Sequence, residues 1–356
     1  MTATPVDIAR RLLPALRAAR SQGEDWPESE WRFLVDAGVT GWIVPTDFGG
    51  SDHPTPAVLD GCRGLARANL SVTFILSQFQ AASQRIVACE NATLRSQWLP
   101  RLASGDAFAT VGISHLTTSR QHIATPAVTA VATSGGFLLD GVVPWVTGAE
   151  VADIIVLGGT LSDGRQVLAA LPRDREEVAI DAPAELLALN NSRTALVRLT
   201  HVIVRTDELL AGPVPHVLST LSGKSGGAGS LTTSALAVGH AEHAIDRITE
   251  EAASRPALNA VVEALTAEAE AIATDLQAAA QGLAAADITA ESLRTRATSL
   301  ALRASQAYLA AAKGAGYVVG HPAERLVREA MFFLVWSCPQ AVASQLLNEF
   351  SRCEET

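Results

Sequence analysis

Over the first hundred residues, apolar side chains recur three and four positions apart, which is the spacing of one face of an α-helix. This pattern is seen at Ile8, Leu12, Leu13 and Leu16, and again at Leu59, Cys62, Leu65 and Ala66. Proline and glycine interrupt it at Pro27, Gly49-Gly50 and 54–56, where turns between helices are expected. The pattern predicts a helical N-terminal domain over residues 1–107.

From about residue 108 the chain changes to short runs rich in Val, Ile and Thr, separated by Gly, Asp and Ser. Such runs are typical of β-strands joined by turns. The strands that they predict are 127–133, 137–140, 154–157, 167–171, 195–199 and 201–204. We therefore expect a middle β-domain of barrel or sandwich type over residues 108–213, inserted between two helical parts.

Long segments rich in Ala and Leu follow, with stops at Arg255-Pro256, Ala286-Asp287 and 314–320. The helices that they predict are 230–253, 258–284, 290–313, 323–336 and 340–351. Long helices joined by short loops favour an antiparallel four-helix bundle over residues 214–356. Their alanine-rich surfaces fit either close packing within the chain or an oligomer interface. The expected fold class is α+β.

Composition narrows the possible partners of this 356-residue chain. Its 27 basic and 37 acidic residues give a net charge of −10 without long blocks of one sign, which argues against nucleic acid and anionic membranes as partners. The four cysteines show no metal-binding spacing, so no metal site is expected. No apolar stretch long enough for a membrane span and no leader pattern occur, so a cytoplasmic protein is expected.

The segment 136–149, Gly-Phe-Leu-Leu-Asp-Gly-Val-Val-Pro-Trp-Val-Thr-Gly-Ala, carries the most specific pattern in the chain. Its alternation predicts two extended segments around a turn at Gly141. Trp145 and Thr147 stand two residues apart, which would place both side chains on one face of one strand. An indole can stack on a flat ring and a hydroxyl can bond a ring nitrogen. A small β-hairpin with a buried tryptophan is the alternative reading.

This segment resembles the Gly-(Tyr/Phe)-x-Leu-x-Gly-x-Lys-x-Trp-Ile-Thr-Asn-Gly signature of the acyl-CoA dehydrogenase family, with Val143 at the Lys and Gly148 at the Asn. Residues 28–50 resemble the family's N-terminal helix and Pro-x-x-(Tyr/Phe)-Gly-Gly loop. Residues 314–330 resemble its glycine turn and its Tyr-Pro-x-Glu-Arg-x-x-Arg-Asp-Ala helix. The resemblance implies a helix–β–helix fold that binds FAD and acts on an acyl thioester carried by CoA or a carrier protein. It also implies a flavoprotein or oxygen as electron acceptor, and assembly into a homo- or hetero-oligomer.

The resemblance also implies which residues contact the flavin. Trp145 and Thr147 would lie against its ring, and Ser119 would meet its phosphate in a loop that also contains Thr110 and Ile113. The implied cofactor-binding set is Thr110, Ile113, Ser119, Trp145, Thr147, Gly314, Gly316 and Pro339. The family's contacts to the adenine end are not matched, because Ala310 replaces a Gln and residues 254–258 are too short for the Arg-x-x-Phe-Gly-x-Pro motif.

The proton-abstracting glutamate of the family has no counterpart. Desaturation of an acyl thioester requires a base for the α-proton while hydride leaves the β-carbon. Ser337 stands at the usual Glu position, and Gly229 and Ser230 occupy the alternative one. A serine hydroxyl has no useful basicity near neutral pH without a neighbouring base. Cys338, His240, His243 and Glu242 are expected to be packing or surface groups, and Glu329 to be in an ion pair with Arg325 or Arg328.

Three hypotheses follow. The protein is an FAD-dependent oxidoreductase that acts on an acyl thioester with an unusual base or by related flavin chemistry. Alternatively, it is the base-less subunit of a heteromeric dehydrogenase. The third hypothesis is a scaffold or binding protein that retains the fold without catalysis.

Overall fold

A computed structural model of the chain describes residues 3–19, 25–117, 126–221 and 231–351. It has a helical N-terminal part, a middle mixed sheet and a helical C-terminal part, which confirms the expected fold class. None of the helices in these ranges has the length and apolarity needed to cross a membrane.

The described residues of the N-terminal part form five α-helices. They are α1 Pro5–Ala18, α2 Glu28–Asp36, α3 Thr55–Ala68, α4 Leu70–Ala88 and α5 Ala92–Ser104. Helix α4 is apolar on most of its faces and is buried for most of its length, as expected for the central helix of a small helical domain. Asn69 caps it, accepting a bond from the amide of Val72 at 3.2 Å.

In the middle part, the residues that the structure describes form an eight-stranded mixed sheet. Its strands are β1 Ala109–Gly112, β2 Val128–Thr133, β3 Gly136–Val146, β4 Ile154–Thr160, β5 Gln166–Pro172, β6 Val178–Ile180, β7 Ala195–Arg205 and β8 Leu209–Val214. The order is β6-β7-β3-β2-β4-β5-β8, and β1 pairs with β4. Pairings of β4 with β1 and β2 are parallel and the others are antiparallel.

Two details of the predicted strands are wrong. Gly141 does not form a turn, because β3 runs continuously through it and only the register with β7 shifts there. A β-carbon at Gly141 would lie 2.2 Å from the carbonyl oxygen of Ala127, so the strands approach too closely for another residue. The two predicted strands 195–199 and 201–204 form one strand, β7, which includes His201 at a positive φ of 54°.

The C-terminal part contains α6 Val217–Thr220, α7 Leu231–Ala252, α8 Asn259–Gln281, α9 Ala290–Gly316, α10 Pro322–Met331 and α11 Gln340–Ser351. The predicted helix over 323–336 stops earlier, because the chain forms a 3-10 turn at Phe332–Leu334. Helix α9 continues to Gly316 through a kink at Lys313. Alanines of α7 are buried within the chain against α3 and α9, which is the close packing that the composition allowed.

Candidate functional site

Trp145 and Thr147 do not share a face of one strand. Strand β3 ends at Val146, and Trp145 has a left-handed backbone with φ of 61°, which breaks the alternation of side chains. As a result, 56% of Trp145 is exposed, while Thr147 is only 1% exposed. A large aromatic residue rarely adopts a positive φ, and such strained positions are concentrated at functional sites.

Thr147 belongs to a buried chain of hydroxyl groups. Its Oγ1 lies 3.1 Å from Thr194 Oγ1, which lies 2.8 Å from Ser192 Oγ. The hydroxyl of Thr110 donates to the carbonyl oxygen of Thr147 at 2.7 Å. The amide of Gly148 donates to the carbonyl of Ser192 at 2.9 Å. The structure thus brings together Thr110 and Thr147 from the predicted set, and these contacts fix the backbone that follows Trp145.

Of the two predicted ring contacts, Trp145 and Thr147, only the side chain of Trp145 is placed to contact a flavin ring. The exposed indole of Trp145 offers a free stacking surface. The hydroxyl of Thr147 offers no comparable contact, because it is buried and is already bonded to Thr194. The residues present therefore fit a flavin through Trp145 and not through the side chain of Thr147.

The segment 186–194 connects this region to the other two parts of the chain. Asn191 accepts a bond from Ser71 in α4, and the carbonyl of Leu187 accepts one from Arg328 Nη1 in α10 at 2.8 Å. Leu189 and Arg193 both have positive φ, at 63° and 49°. Ser192 and Thr194 were not predicted, because nothing in their sequence spacing links them to Thr147 across strands β3 and β7.

The loop after β1 is described only as far as Thr117. Ile113 is half-buried and precedes a 3-10 turn at Ser114–Leu116, and Ser114 Oγ donates to the carbonyl of Pro144 at 3.2 Å. This bond holds the loop beside the residue that precedes Trp145. Ser119, the predicted phosphate contact, lies outside the described residues.

The two glycines of the predicted turn, Gly314 and Gly316, lie at the end of α9. A β-carbon at Gly314 would meet no atom of the described residues within 4 Å, whereas one at Gly316 would lie 2.7 Å from Ala312 Cβ. The kink at Lys313, with φ of 55°, directly precedes them. A side chain at position 316 would therefore collide with Ala312, one turn earlier in α9. Position 314 has room for a side chain.

Ser337, which stands where the family resemblance places the glutamate, is exposed and has a left-handed backbone with φ of 44°. Cys338 and Pro339 are half-buried, and burial raises the pKa of the Cys338 thiol. The fully buried Arg294 holds the turn that precedes Ser337. Its Nη2 donates to the carbonyls of Phe333 and Trp336, each at 2.8 Å. Gly229 and Ser230 lie outside the described residues.

The ionisable groups of α7 lie in the helix bundle. His240 is fully buried, with Nε2 2.9 Å from the carbonyl oxygen of Leu326. His243 is also buried, and Glu242 pairs with Arg63 of α3 at 3.6 Å. Glu329 pairs with Arg325 at 3.7 Å, as expected, and burial raises the pKa of Glu329. These groups serve packing, as predicted.

The chain combines a helical domain, a mixed sheet and a helical bundle, with the exposed Trp145 beside their junction. This is the architecture of the acyl-CoA dehydrogenases. Residues 6–106 match the family model described as "Acyl-CoA dehydrogenase, N-terminal domain". This match covers less than a third of the chain, and the fold of the whole chain is that of acyl-CoA dehydrogenase structures.

Two kinds of relative share this fold. Butyryl-CoA dehydrogenase from Megasphaera elsdenii is 17% identical with a TM-score of 0.80, and the match covers 98% of this chain and 96% of that one. Dibenzothiophene monooxygenase from Paenibacillus sp. A11-2 is 18% identical with a TM-score of 0.80, covering 99% and 98%, and its structure is also known with FMN bound.

Among curated sequences, the dibenzothiophene monooxygenase of Mycolicibacterium goodii is 24% identical over 218 residues, which cover 59% of this chain and 52% of that protein. The chain therefore spans about half the length of the curated relatives that it matches.

Proposed function

We propose that the protein is a flavin-dependent oxidoreductase in which Trp145 stacks on the flavin ring. The observation that carries the proposal is the indole itself, which is 56% exposed at a strained φ of 61° where the dehydrogenase signature has its ring-contacting tryptophan. A bound flavin would supply hydride or electron transfer. The protein would contribute the stacking surface, the fixed backbone around Thr147 and shielding from water.

For the substrate we propose an acyl thioester, on CoA or a carrier protein, with FAD as the flavin. The match of the N-terminal domain and the fold of the acyl-CoA dehydrogenases support this substrate class. Because Ser337 cannot act as a base, the reaction would be flavin chemistry that does not rely on a carboxylate at this position. The electron acceptor would be a flavoprotein or oxygen, and the active form a homo- or hetero-oligomer in the cytoplasm.

Oxygenation of an aromatic heterocycle is a second candidate. It is favoured by the serine at position 337, since oxygen transfer does not call for an α-proton base there, and by the similarity to dibenzothiophene monooxygenases. The unmatched adenine contacts at Ala310 and 254–258 would then suit FMN, which the Paenibacillus enzyme binds. Turnover of a heterocycle with reduced flavin and oxygen, but not of acyl-CoA, would select this candidate.

A base-less subunit of a heteromeric dehydrogenase remains the alternative. In that case the purified chain would be colourless, and flavin binding and turnover would require co-expression with a partner chain that carries the glutamate. A chain that stays colourless with every partner would instead indicate a scaffold.

Substitution of Trp145 tests the proposed flavin contact. We expect Trp145→Ala to weaken flavin binding about tenfold, or about 1.4 kcal/mol, because the stacking surface is lost. Trp145→Phe should retain part of it. Flavin affinity is measured by equilibrium titration, followed by the shift of the visible flavin band on binding.

Ile203→Ala is the matched control, since Ile203 lies in the same sheet and is also 56% exposed. This control should bind flavin like the wild type. Equal flavin affinity and an identical bound spectrum in Trp145→Ala and wild type would exclude Trp145 as the contact.

A further inference from the structure

Pro144 and Trp145 form a β-bulge in strand β3. The pairing with β7 shifts between Val143 and Val146, so the two residues between them face a single residue of β7, Leu196. Bulges are common beside functional sites, where they redirect a side chain. The left-handed residue of a bulge is usually glycine, so a tryptophan with φ of 61° needs support from its surroundings.

A serine from another segment supports the bulge on the N-terminal side of Trp145. Pro144 is buried and has no N–H group to offer to the sheet. The hydroxyl of Ser114, in the 3-10 turn after β1, donates to the carbonyl of Pro144 at 3.2 Å. Because this carbonyl and the amide nitrogen of Trp145 belong to one rigid peptide unit, the bond fixes the plane that precedes the φ rotation of Trp145.

The peptide unit between Thr147 and Gly148 is held from both of its ends. Thr110 of β1 donates its hydroxyl to the carbonyl of Thr147 at 2.7 Å, and the amide of Gly148 donates to the carbonyl of Ser192 at 2.9 Å. Thr110 is fully buried, so solvent does not compete for its bond. The backbone is therefore fixed on both sides of Trp145.

Strand β1 lies close enough to the bulge to make both hydroxyl contacts. A β-carbon at Gly112 would lie 2.5 Å from Val143 Cγ1 and 3.0 Å from Val146 Cγ2, and these two valines flank the bulge. The absence of a side chain at Gly112 thus lets β1 approach β3 at this point. Thr110 stands two residues before Gly112 and Ser114 two residues after it, so the three contacts form one continuous support.

We propose that Ser114 and Thr110 are positioning residues, which hold Trp145 in its left-handed conformation and so set the face that the indole presents to the flavin. The inference rests on the proposed flavin contact of Trp145. It also changes the role that the family resemblance implies for Thr110. The hydroxyl of Thr110 is buried against the carbonyl of Thr147, so it acts through the backbone and not by touching the cofactor.

Fluorine NMR of the flavin-free protein labelled with fluorotryptophan tests the positioning directly. All six tryptophans lie within the described ranges, and Trp145 alone among them is exposed. Its signal is therefore the one that shifts most between light and heavy water, and its loss in Trp145→Phe confirms the assignment. Ser114→Ala and Thr110→Val each remove one bond of the support. In both variants the Trp145 signal should broaden and move, while the other five signals stay in place.

Conservative variants and a matched control separate positioning from a general loss of stability. Ser114→Thr and Thr110→Ser each keep a hydroxyl group, so both should restore the wild-type signal of Trp145. Thr129→Val is the control, because Thr129 also donates its hydroxyl to a carbonyl of β3, that of Asp140, at 3.2 Å. This control should leave the Trp145 signal unchanged.

A double-mutant cycle on flavin affinity tests whether Ser114 acts through Trp145. Ser114→Ala alone should weaken flavin binding about threefold, the effect of losing one hydrogen bond that acts indirectly. In the Trp145→Ala background the same substitution should have no further effect, because the indole that Ser114 positions is absent. Thr110→Val should behave in the same way, which preserves the test if one of the two variants does not fold.

Two results would overturn the proposal. One is a Trp145 signal that is the same in wild type, Ser114→Ala and Thr110→Val, even if both variants lower the Tm. The other is an additive cycle, because Ser114 would then affect the flavin independently of Trp145. A wild-type protein that binds no flavin would instead refute the proposed function, and the fluorine signals of the flavin-free protein would still decide whether the two hydroxyl groups hold Trp145.

Discussion

At the scale of single residues, His240 has the most sharply defined environment. Its Nε2 carries the proton, because that atom lies 2.9 Å from a carbonyl oxygen, and its Nδ1 lies 3.8 Å from Glu329 Oε2. Burial, opposed by the bond to Leu326 and aided by the charge of Arg325, lowers the pKa of His240 to about 4. The imidazole is therefore neutral in the folded protein, while in the unfolded chain it titrates near pH 6.5.

We expect His240 to make the protein acid-sensitive. Between about pH 6.5 and pH 4 the unfolded state binds the extra proton, so the free energy of unfolding falls as the pH falls through this range. The loss between pH 7.5 and 4.5 should be about 2 kcal/mol. The raised pKa of Glu329 acts in the opposite direction, since its contribution is lost as the pH rises.

Urea unfolding of wild type and His240→Gln across this pH range measures the effect. Gln keeps a donor for the carbonyl of Leu326 but does not titrate. The difference in unfolding free energy between the two proteins should shrink as the pH falls. Parallel pH dependences of the two proteins would show that His240 is not the group responsible.

The candidate site residues could be chosen from the sequence, but the contacts and burial of each side chain could not be predicted from it. The spacing of Trp145 and Thr147 predicted a shared face, yet the positive φ of Trp145 turns the two side chains to different surroundings. The partners of Thr147 and the buried state of Arg294 arise from contacts between distant segments, which periodicity does not encode.

At the scale of elements, α3 and α7 pack with their backbones nearly in contact. Gly239 permits this, since a β-carbon there would lie 2.2 Å from the carbonyl oxygen of Arg63 and 2.9 Å from Ala66 Cβ. Nearby, Asp246 of α7 accepts bonds from Arg17 of α1 and Arg67 of α3. These contacts dock the N-terminal helices on the C-terminal bundle.

Gly239→Ala should destabilise the protein even though alanine favours helix by about 1 kcal/mol. The added methyl group meets backbone rather than a flexible side chain, so α3 and α7 must separate. We expect the free energy of unfolding to fall by about 2 kcal/mol or more in urea titrations.

Gly135→Ala is the control, because a β-carbon there meets no atom within 4 Å in the part of the chain that the structure describes. It should change the free energy of unfolding by less than about 0.5 kcal/mol. If Gly239→Ala matched this control or stabilised the protein, the close approach of the two helices would be refuted.

Most helices and strands could be predicted because their periodic patterns are local. Helices α7, α8, α9 and α11 lie within a few residues of their predicted bounds. The errors at Gly141 and His201 fall at one place, a register shift between β3 and β7. Leu139 pairs with Val202 and Gly141 with Leu199, so both strands continue past the irregularity.

At the scale of the whole molecule, the segment 186–194 links all three parts beside Trp145. It bonds to Ser71 in the N-terminal part, to Thr147 and Gly148 just after β3 in the middle part, and to Arg328 in the C-terminal bundle. A ring stacked on Trp145 would lie near this junction, so flavin binding would depend on the docking of the three parts. The family resemblance, rather than any single motif, made this architecture predictable.

The visible absorption spectrum of the freshly purified wild-type protein, with its released flavin identified by chromatography, tests the central claim most directly. The account predicts a flavin spectrum, or one that forms when FAD or FMN is added, and that changes in Trp145→Ala but not in Ile203→Ala. A protein that binds neither flavin, alone or with a co-expressed partner chain, would contradict it.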